Sequence, residues 1–226
     1  MSSGKTITID VISDTICPWC FIGKRRMEKA ITQYKQRPGN EGTKFVIKYH
    51  PFLLDPTLTS TPMDKNERYA KKFGPRAQAM MARMQEIALA ENLNFSSTGL
   101  ISQTFDSHRI VKYVSSKLGH DAESIIVEEL FKNYFEDGKC ISDYDVLADA
   151  AVKAGVGKDE ARVFLESGEG LDDVKAEIQY AFDEGVSGVP HYSISFGDNA
   201  YAVPGAQDVN VFTHVFDKLV KREGSL

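Results

Sequence analysis

The sequence predicts an α/β fold: a β-α-β unit and an α-β-β-α unit build one sheet, with an all-helical insertion between the second and third core strands. Three observations carry that expectation. Apolar residues alternate with period two near both ends of the chain. Helical periodicity without strand signals runs from about Pro62 to Ser167. A Cys-x-x-Cys stands where the first strand gives way to the first helix. The boundaries that follow are 1–61, 62–167 for the insertion, and 168–226.

Ile7, Ile9 and Val11 alternate with Thr8 and Asp10, and the strand stops at Ser13-Asp14. After Cys17, Pro18 suits the first turn of a helix, where its missing N–H costs nothing. Met27, Ala30, Ile31 and Tyr34 then recur at helical spacing until Pro38-Gly39. Phe45, Ile47 and Tyr49 alternate again and run into His50-Pro51-Phe52. A helical crossover makes this strand parallel to the first. In the insertion, three apolar stripes are expected: Ala77 through Met80, Met81, Met84 and Ile87 to Ala88; Ile110, Val111, Val114 and Leu118; and Ile126, Leu130, Phe131, Tyr134 and Phe135. Ser142 is the expected N-cap of a helix ending at Gly155, and Asp159 to Glu166 forms another, closed by Ser167-Gly168. Leu171, Val174, Ile178 and Phe182 mark a helix that Gly185 ends, and Val186 to Pro190 is a loop. Strands at His191 to Phe196 and Ala200 to Val203 flank the turn triplet Gly197-Asp198-Asn199, and Val209, Phe212, Val215, Phe216 and Leu219 give a closing helix. This order of elements is a thioredoxin fold split by a helical insertion.

The 226 residues are enough to bury a core without staples, and a net charge of -5 argues against a nucleic-acid partner. No stretch reaches the roughly 18 apolar residues of a membrane span. The N-terminal MSSGKTITIDVIS lacks the apolar run of a secretory signal, and the C-terminal Gly-Ser-Leu is not the peroxisomal Ser-Lys-Leu, so a cytoplasmic protein is expected. Three cysteines are too few for a disulfide scaffold.

At a strand-to-helix junction the first thiol meets the positive end of the helix dipole, and unpaired amide N–H groups there favour a thiolate. Cys17 is therefore the expected solvent-reachable nucleophile, and Cys20, one turn further in and more buried, the resolving thiol. Pro18 and Trp19 between them bear on thiolate stability and on the exposed face of the site. A zinc site is not expected, because only Cys140 and five scattered histidines remain. Lys24, Arg25 and Arg26 read as a solvated helix face rather than a source of potential at Cys17. The Met80, Met81 and Met84 cluster reads as core ahead of an adaptable substrate groove. His108 reads as a packed, hydrogen-bonded residue ahead of a site residue, and Cys140 as a bystander thiol. Pro190 opens the third core strand, where thioredoxin folds place a cis proline facing the cysteine pair. The Val189 backbone would then be free to pair with an extended substrate.

Cys17-Pro18-Trp19-Cys20-Phe21-Ile22-Gly23-Lys24-Arg25-Arg26, then Pro51-Phe52-Leu53-Leu54-Asp55-Pro56, Phe105-Asp106-Ser107-His108-Arg109 and Gly188-Val189-Pro190 resemble, in order and spacing, the DsbA-like proteins with a helical insertion, specifically their FrnE-like branch. The similarity spans essentially the whole chain. It implies a disulfide oxidoreductase with Cys17, Cys20 and cis-Pro190 carried over by position. No cofactor is implied beyond the redox-active disulfide, with glutathione admitted as a co-substrate. The partners implied are protein or small-molecule thiols and disulfides. Relatives similar to kappa-class glutathione transferases and 2-hydroxychromene-2-carboxylate isomerases typically have Ser at the first cysteine position, and this chain keeps both thiols. A glutathione-dependent transferase or isomerase, and a non-catalytic binding module that uses the insertion, stand as the alternatives.

Overall fold

In a computed structural model that describes residues 5–223, Ile7, Ile9 and Val11 point to one face of strand β1 (Thr6–Ser13) and are fully buried or nearly so. The Gly-Ser-Leu terminus and the first four residues of the N-terminal segment lie outside the described residues. Helix α1 (Pro18–Lys35) crosses to β2 (Lys44–Pro51), which pairs parallel with β1 from Thr6 opposite Lys44 to Ser13 opposite Pro51. The insertion begins with a feature the period-2 pattern is too short to show. Met63–Asp64 (β3) pairs antiparallel with Leu100–Ile101 (β4), a two-residue ladder inside an otherwise helical block.

Between those two strands lie α2 (Lys65–Phe73), a 3-10 turn at Gly74–Arg76 and α3 (Ala77–Ala90). Helix α2 has few apolar residues and so left no stripe in the sequence; Asp64 caps it by accepting from the amides of Asn66 and Glu67 at 2.8 and 3.0 Å. Helices α4 (Phe105–Leu118) and α5 (His120–Phe131) follow, the latter running into a π-helical turn at Lys132–Glu136. Then come α6 (Tyr144–Lys153), α7 (Lys158–Ser167) and α8 (Leu171–Asp183). The cap of α6 is Asp143 and not Ser142: the Asp143 carboxylate accepts from the Asp145 amide at 2.8 Å, while the Ser142 hydroxyl is engaged by Ser102 at 2.7 Å. Strands β5 (His191–Phe196) and β6 (Asn199–Pro204) form a hairpin, and α9 (Val209–Glu223) closes the chain. Asn199 pairs with Phe196, so the hairpin turn is the two residues Gly197-Asp198, and Gly197 supplies the positive φ of 55°.

The sheet order is β2-β1-β5-β6, with β5 antiparallel to both of its neighbours. Tyr34, Phe45 and Phe216 meet edge to face with centroids 5.1 to 6.0 Å apart, joining α1, β2 and α9 on one face of the sheet. The insertion is fastened to the same helix. Phe21 of α1 stacks on Phe131 at 5.0 Å, and Phe95 stacks on Phe135 at 4.7 Å beside it.

The charge run on α1 departs from its expected role as a solvated face. Lys24 is 5% exposed and pairs with Glu28 and, at 3.0 Å, with Glu128 of α5; Arg25 forks onto Glu128, and Arg26 reaches Glu91 at 2.7 Å. Three cations adjacent in sequence thus clamp α1 to the insertion. Burial works to raise the Glu128 carboxyl, yet the hydrogen bond from Arg25 and the charges of Lys24 and Arg25 bring it down to about 2. Among the described residues no helix is long and apolar enough to cross a membrane.

Candidate active site

The site grows out of the turn between β1 and α1. Asp14 is completely buried there, and its carboxylate fixes the loop after β2 by accepting from the Leu54 amide at 2.7 Å. Its backbone oxygen accepts from the Cys17 amide at 3.0 Å. His108 lies 3.4 Å from the same carboxylate and 3.1 Å from the Phe52 carbonyl oxygen, and the Thr15 and Ser107 hydroxyls are 2.7 Å apart. His108 therefore braces the turn from behind. Its neighbour Arg109, also buried, faces away and donates to the carbonyls of Phe164, Leu165 and Glu169 near the end of α7.

Held in this way, Cys17 is the N-cap of α1 in an extended conformation (φ -87°, ψ 113°), with Pro18 opening the helix and no acidic side chain in the first turn. The Cys20 amide donates to the Cys17 carbonyl at 3.0 Å, and both residues are free thiols. The expectation that Cys17 is open to solvent is corrected: it is 2% exposed, as buried as Cys20 at 3%. The reason is the Val189 loop, whose carbonyl oxygen lies 3.6 Å from Cys17 Sγ, a weak S–H···O contact that covers the sulfur. The Val189–Pro190 peptide is cis, and the Pro190 carbonyl accepts from the Gly205 amide at 2.7 Å. Burial pushes the Cys20 thiol well above its ordinary value and the Cys17 sulfur beside it adds to this, while the Ser13 side chain and the Asp14 backbone act in the opposite sense.

Access to Cys17 comes sideways, along a groove of about 260 Å³ between the α1 turn and the insertion. Cys17, Pro18, Trp19 and Val189 form one wall. Tyr69 and Phe73 of α2 and the three methionines of α3 form the other: Met80 and Met81 face the groove rather than the core that their helical spacing suggests, and Met84 lines the groove while also packing against the core. Periodicity identifies an apolar face but not what lies opposite it. Trp19 stands 38% exposed at the rim. Lys65, a residue without a signal in the sequence, lines the floor and is 4% exposed. Cys140 lies apart from these walls, its sulfur 3.4 and 3.3 Å from the hydroxyls of Ser102 and Ser142. Among the described residues no group of three or more His, Cys, Asp or Glu side chains gathers in a way that could hold a metal.

The model of the DSBA-like thioredoxin domain matches residues 8–217. An uncharacterized protein of Bacillus subtilis, YwbO, is 26% identical over 211 residues, which are 92% of this chain and 94% of that one. The crystal structure of a probable DsbA oxidoreductase from Streptomyces coelicolor superposes with a TM-score of 0.81 at 27% identity, covering 95% of this chain and 90% of its own. A 2-hydroxychromene-2-carboxylate isomerase shares the fold, with a TM-score of 0.65 at 15% identity over 96% of this chain and 98% of that one.

Proposed function

The chain belongs to the DSBA-like thioredoxin domain family, and on that premise we propose that it is a thiol–disulfide oxidoreductase working through Cys17 and Cys20. The observation that carries this reading is the unequal setting of the two thiols. Cys17 caps a helix and lines a groove, and Cys20 is sealed one turn behind it with its charged form disfavoured. In the reducing direction the Cys17 thiolate attacks a substrate disulfide, forming a mixed disulfide and expelling one substrate thiolate. Cys20 then gives up its proton and attacks Cys17 Sγ. The second substrate thiolate leaves, and the protein has lost two electrons and the Cys20 proton as the Cys17–Cys20 bond forms. In the oxidising direction a substrate thiolate attacks Cys17 Sγ and Cys20 departs as the leaving group.

Trp19, Val189 and Pro190 are the substrate-contacting residues in this reading, because they border the groove or its covering loop. Protein and small-molecule disulfides are the substrates, with glutathione as a co-substrate. A glutathione-dependent isomerase would need one donor near the bound thiol, and the second cysteine would have no task there. The deciding experiment pairs reduction of an insulin-type disulfide with glutathione conjugation and isomerisation, on wild type and Cys17→Ser. Exchange lost in the variant supports the proposal. Glutathione chemistry that persists in the variant, with no exchange in the wild type, overturns it.

A further inference from the structure

Resting on the exchange reading, we infer that the groove beside Cys17 is built for an apolar disulfide ending in a carboxylate, its anionic end on Lys65 and its sulfur pair at Cys17. The walls set the body of the ligand. Trp19, Phe73, Met80, Met84, Phe95 and Phe135 offer rings and thioethers, which adapt to alkyl or aryl groups and leave peptide units without partners. Glutathione, with two carboxylates, an ammonium and two amides, leaves more polar groups unpaired against such walls, so as a co-substrate it reacts at Cys17 more slowly than an apolar disulfide with a single carboxylate at each end. A volume of about 260 Å³ suits a small molecule.

Lys65 sets the charge. Its ammonium donates to the Tyr134 carbonyl at 3.2 Å and lies 4.3 Å above the Tyr134 ring, yet among the described residues no carboxylate comes within 4 Å of it. The other charges at the groove are spent on each other: Asp55 takes Lys72 at 3.0 Å and Arg68 at 2.6 Å. A buried ammonium with one hydrogen bond and two unused protons is costly to keep in an apolar place, and an incoming carboxylate is the group that would complete it. Burial already brings the Lys65 ammonium down to about 8.

The test uses the full chain with Cys20→Ser, which stops at the mixed disulfide: Cys17 thiolate plus R–S–S–R gives Cys17–S–S–R and RS⁻, whatever the reduction potential. Symmetric carboxyalkyl disulfides of increasing chain length are compared with their primary amides by mass spectrometry. At the chain length that reaches Lys65 the carboxylate should react about tenfold or more faster than its amide. Adding Lys65→Met, close in volume, should remove that advantage, so that acid and amide react at the same rate within about twofold; Lys65→Gln substitutes if the Met variant does not fold. A straight-chain carboxylate without sulfur should change the fluorescence of Trp19, the single tryptophan, in wild type and not in Lys65→Met. Equal rates for acid and amide, a preference that survives Lys65→Met, or faster reaction with oxidised glutathione or a peptide disulfide would overturn the inference. Bis(2-hydroxyethyl) disulfide separates the two levels: if it fails to react with Cys17, the exchange reading falls; if it reacts while the carboxylate preference is missing, only the substrate class falls.

Discussion

Cys17 Sγ lies 3.6 Å from the Val189 carbonyl oxygen, so the loop that precedes β5 covers the sulfur at the N-terminus of α1. A substrate sulfur has to approach from the groove, and the covering loop lies alongside it. With Cys20 sealed behind, Cys20→Ser should accumulate mixed disulfides at Cys17 on exposure to oxidised glutathione, and Cys17→Ser should form none. Cys140→Ser should leave exchange within about twofold of wild type, because a thiol held between two serine hydroxyls takes no part in the relay. Intact-mass spectra read all three variants, and loss of exchange in the Cys140 variant would give that thiol a role.

Gly23, one turn beyond Cys20, leaves room for the Tyr192 hydroxyl. A Cβ at that position would sit 2.3 Å from that oxygen and 3.1 Å from Pro190 Cγ. Gly23→Ala should therefore destabilise the fold by about 1–3 kcal/mol through overpacking. The hydroxyl is itself buried without a partner. Tyr192→Phe should be neutral or stabilise by about 1 kcal/mol, since it removes an unsatisfied polar group. The double variant should recover part of the Gly23→Ala loss, and urea unfolding of the four proteins as a cycle measures the coupling. Strict additivity would mean that the clash is relieved elsewhere.

Lys24 and Arg25 converge on Glu128, and this clamp predicts a stability loss with a pH signature. Glu128→Gln should cost about 2 kcal/mol near neutral pH, because it leaves the buried Lys24 ammonium short of a partner. With the Glu128 carboxyl at about 2 in the fold against about 4.5 unfolded, its contribution is present above 4.5 and fades as pH falls towards 2. Denaturant midpoints of wild type and variant should therefore converge in acid. A gap that stays constant from neutral pH to pH 3 would remove the clamp as its source.

Parts of this architecture were legible because they rest on local signals. Ile7, Ile9 and Val11 alternate, Pro18 can only open a helix, and a cysteine pair at that junction has few other uses. What stayed hidden depends on partners far along the chain. Arg26 and Glu91 are 65 residues apart, and Arg25 and Glu128 are 103 apart, so the charge run looked solvated from its neighbours alone. Met80 and Met84 keep helical spacing whether they face a core or a groove. Lys65 begins a polar helix, and nothing in its flanking residues says that the π-helical turn at Lys132–Glu136 brings the Tyr134 ring against it.

His50 makes the alkaline side of the stability profile a test of how the sheet edge is held. Its Nε2 lies 2.9 Å from the Asp10 carboxylate of β1, and its Nδ1 lies 3.4 Å from Glu177 of α8, which also takes Lys112 at 2.9 Å. The hydrogen bond to Asp10, followed by the one to Glu177, raises the imidazole to about 9 against burial and the Lys112 charge. A group whose folded value is raised holds its full contribution below the unfolded value of about 6.5 and loses it as pH climbs through 9. The ring is 36% exposed, so solvent screening reduces the effect to about 1 kcal/mol. Wild type should therefore lose about that much between pH 6 and pH 10 beyond any loss shown by His50→Gln, which cannot charge. Asp10 and Glu177 are both shifted downward, so their own contributions fade only in acid and leave this window to the imidazole. Chemical denaturation at both pH values reads the difference directly, and parallel profiles for wild type and His50→Gln would show that the ion network at the β2 edge is spectator to folding.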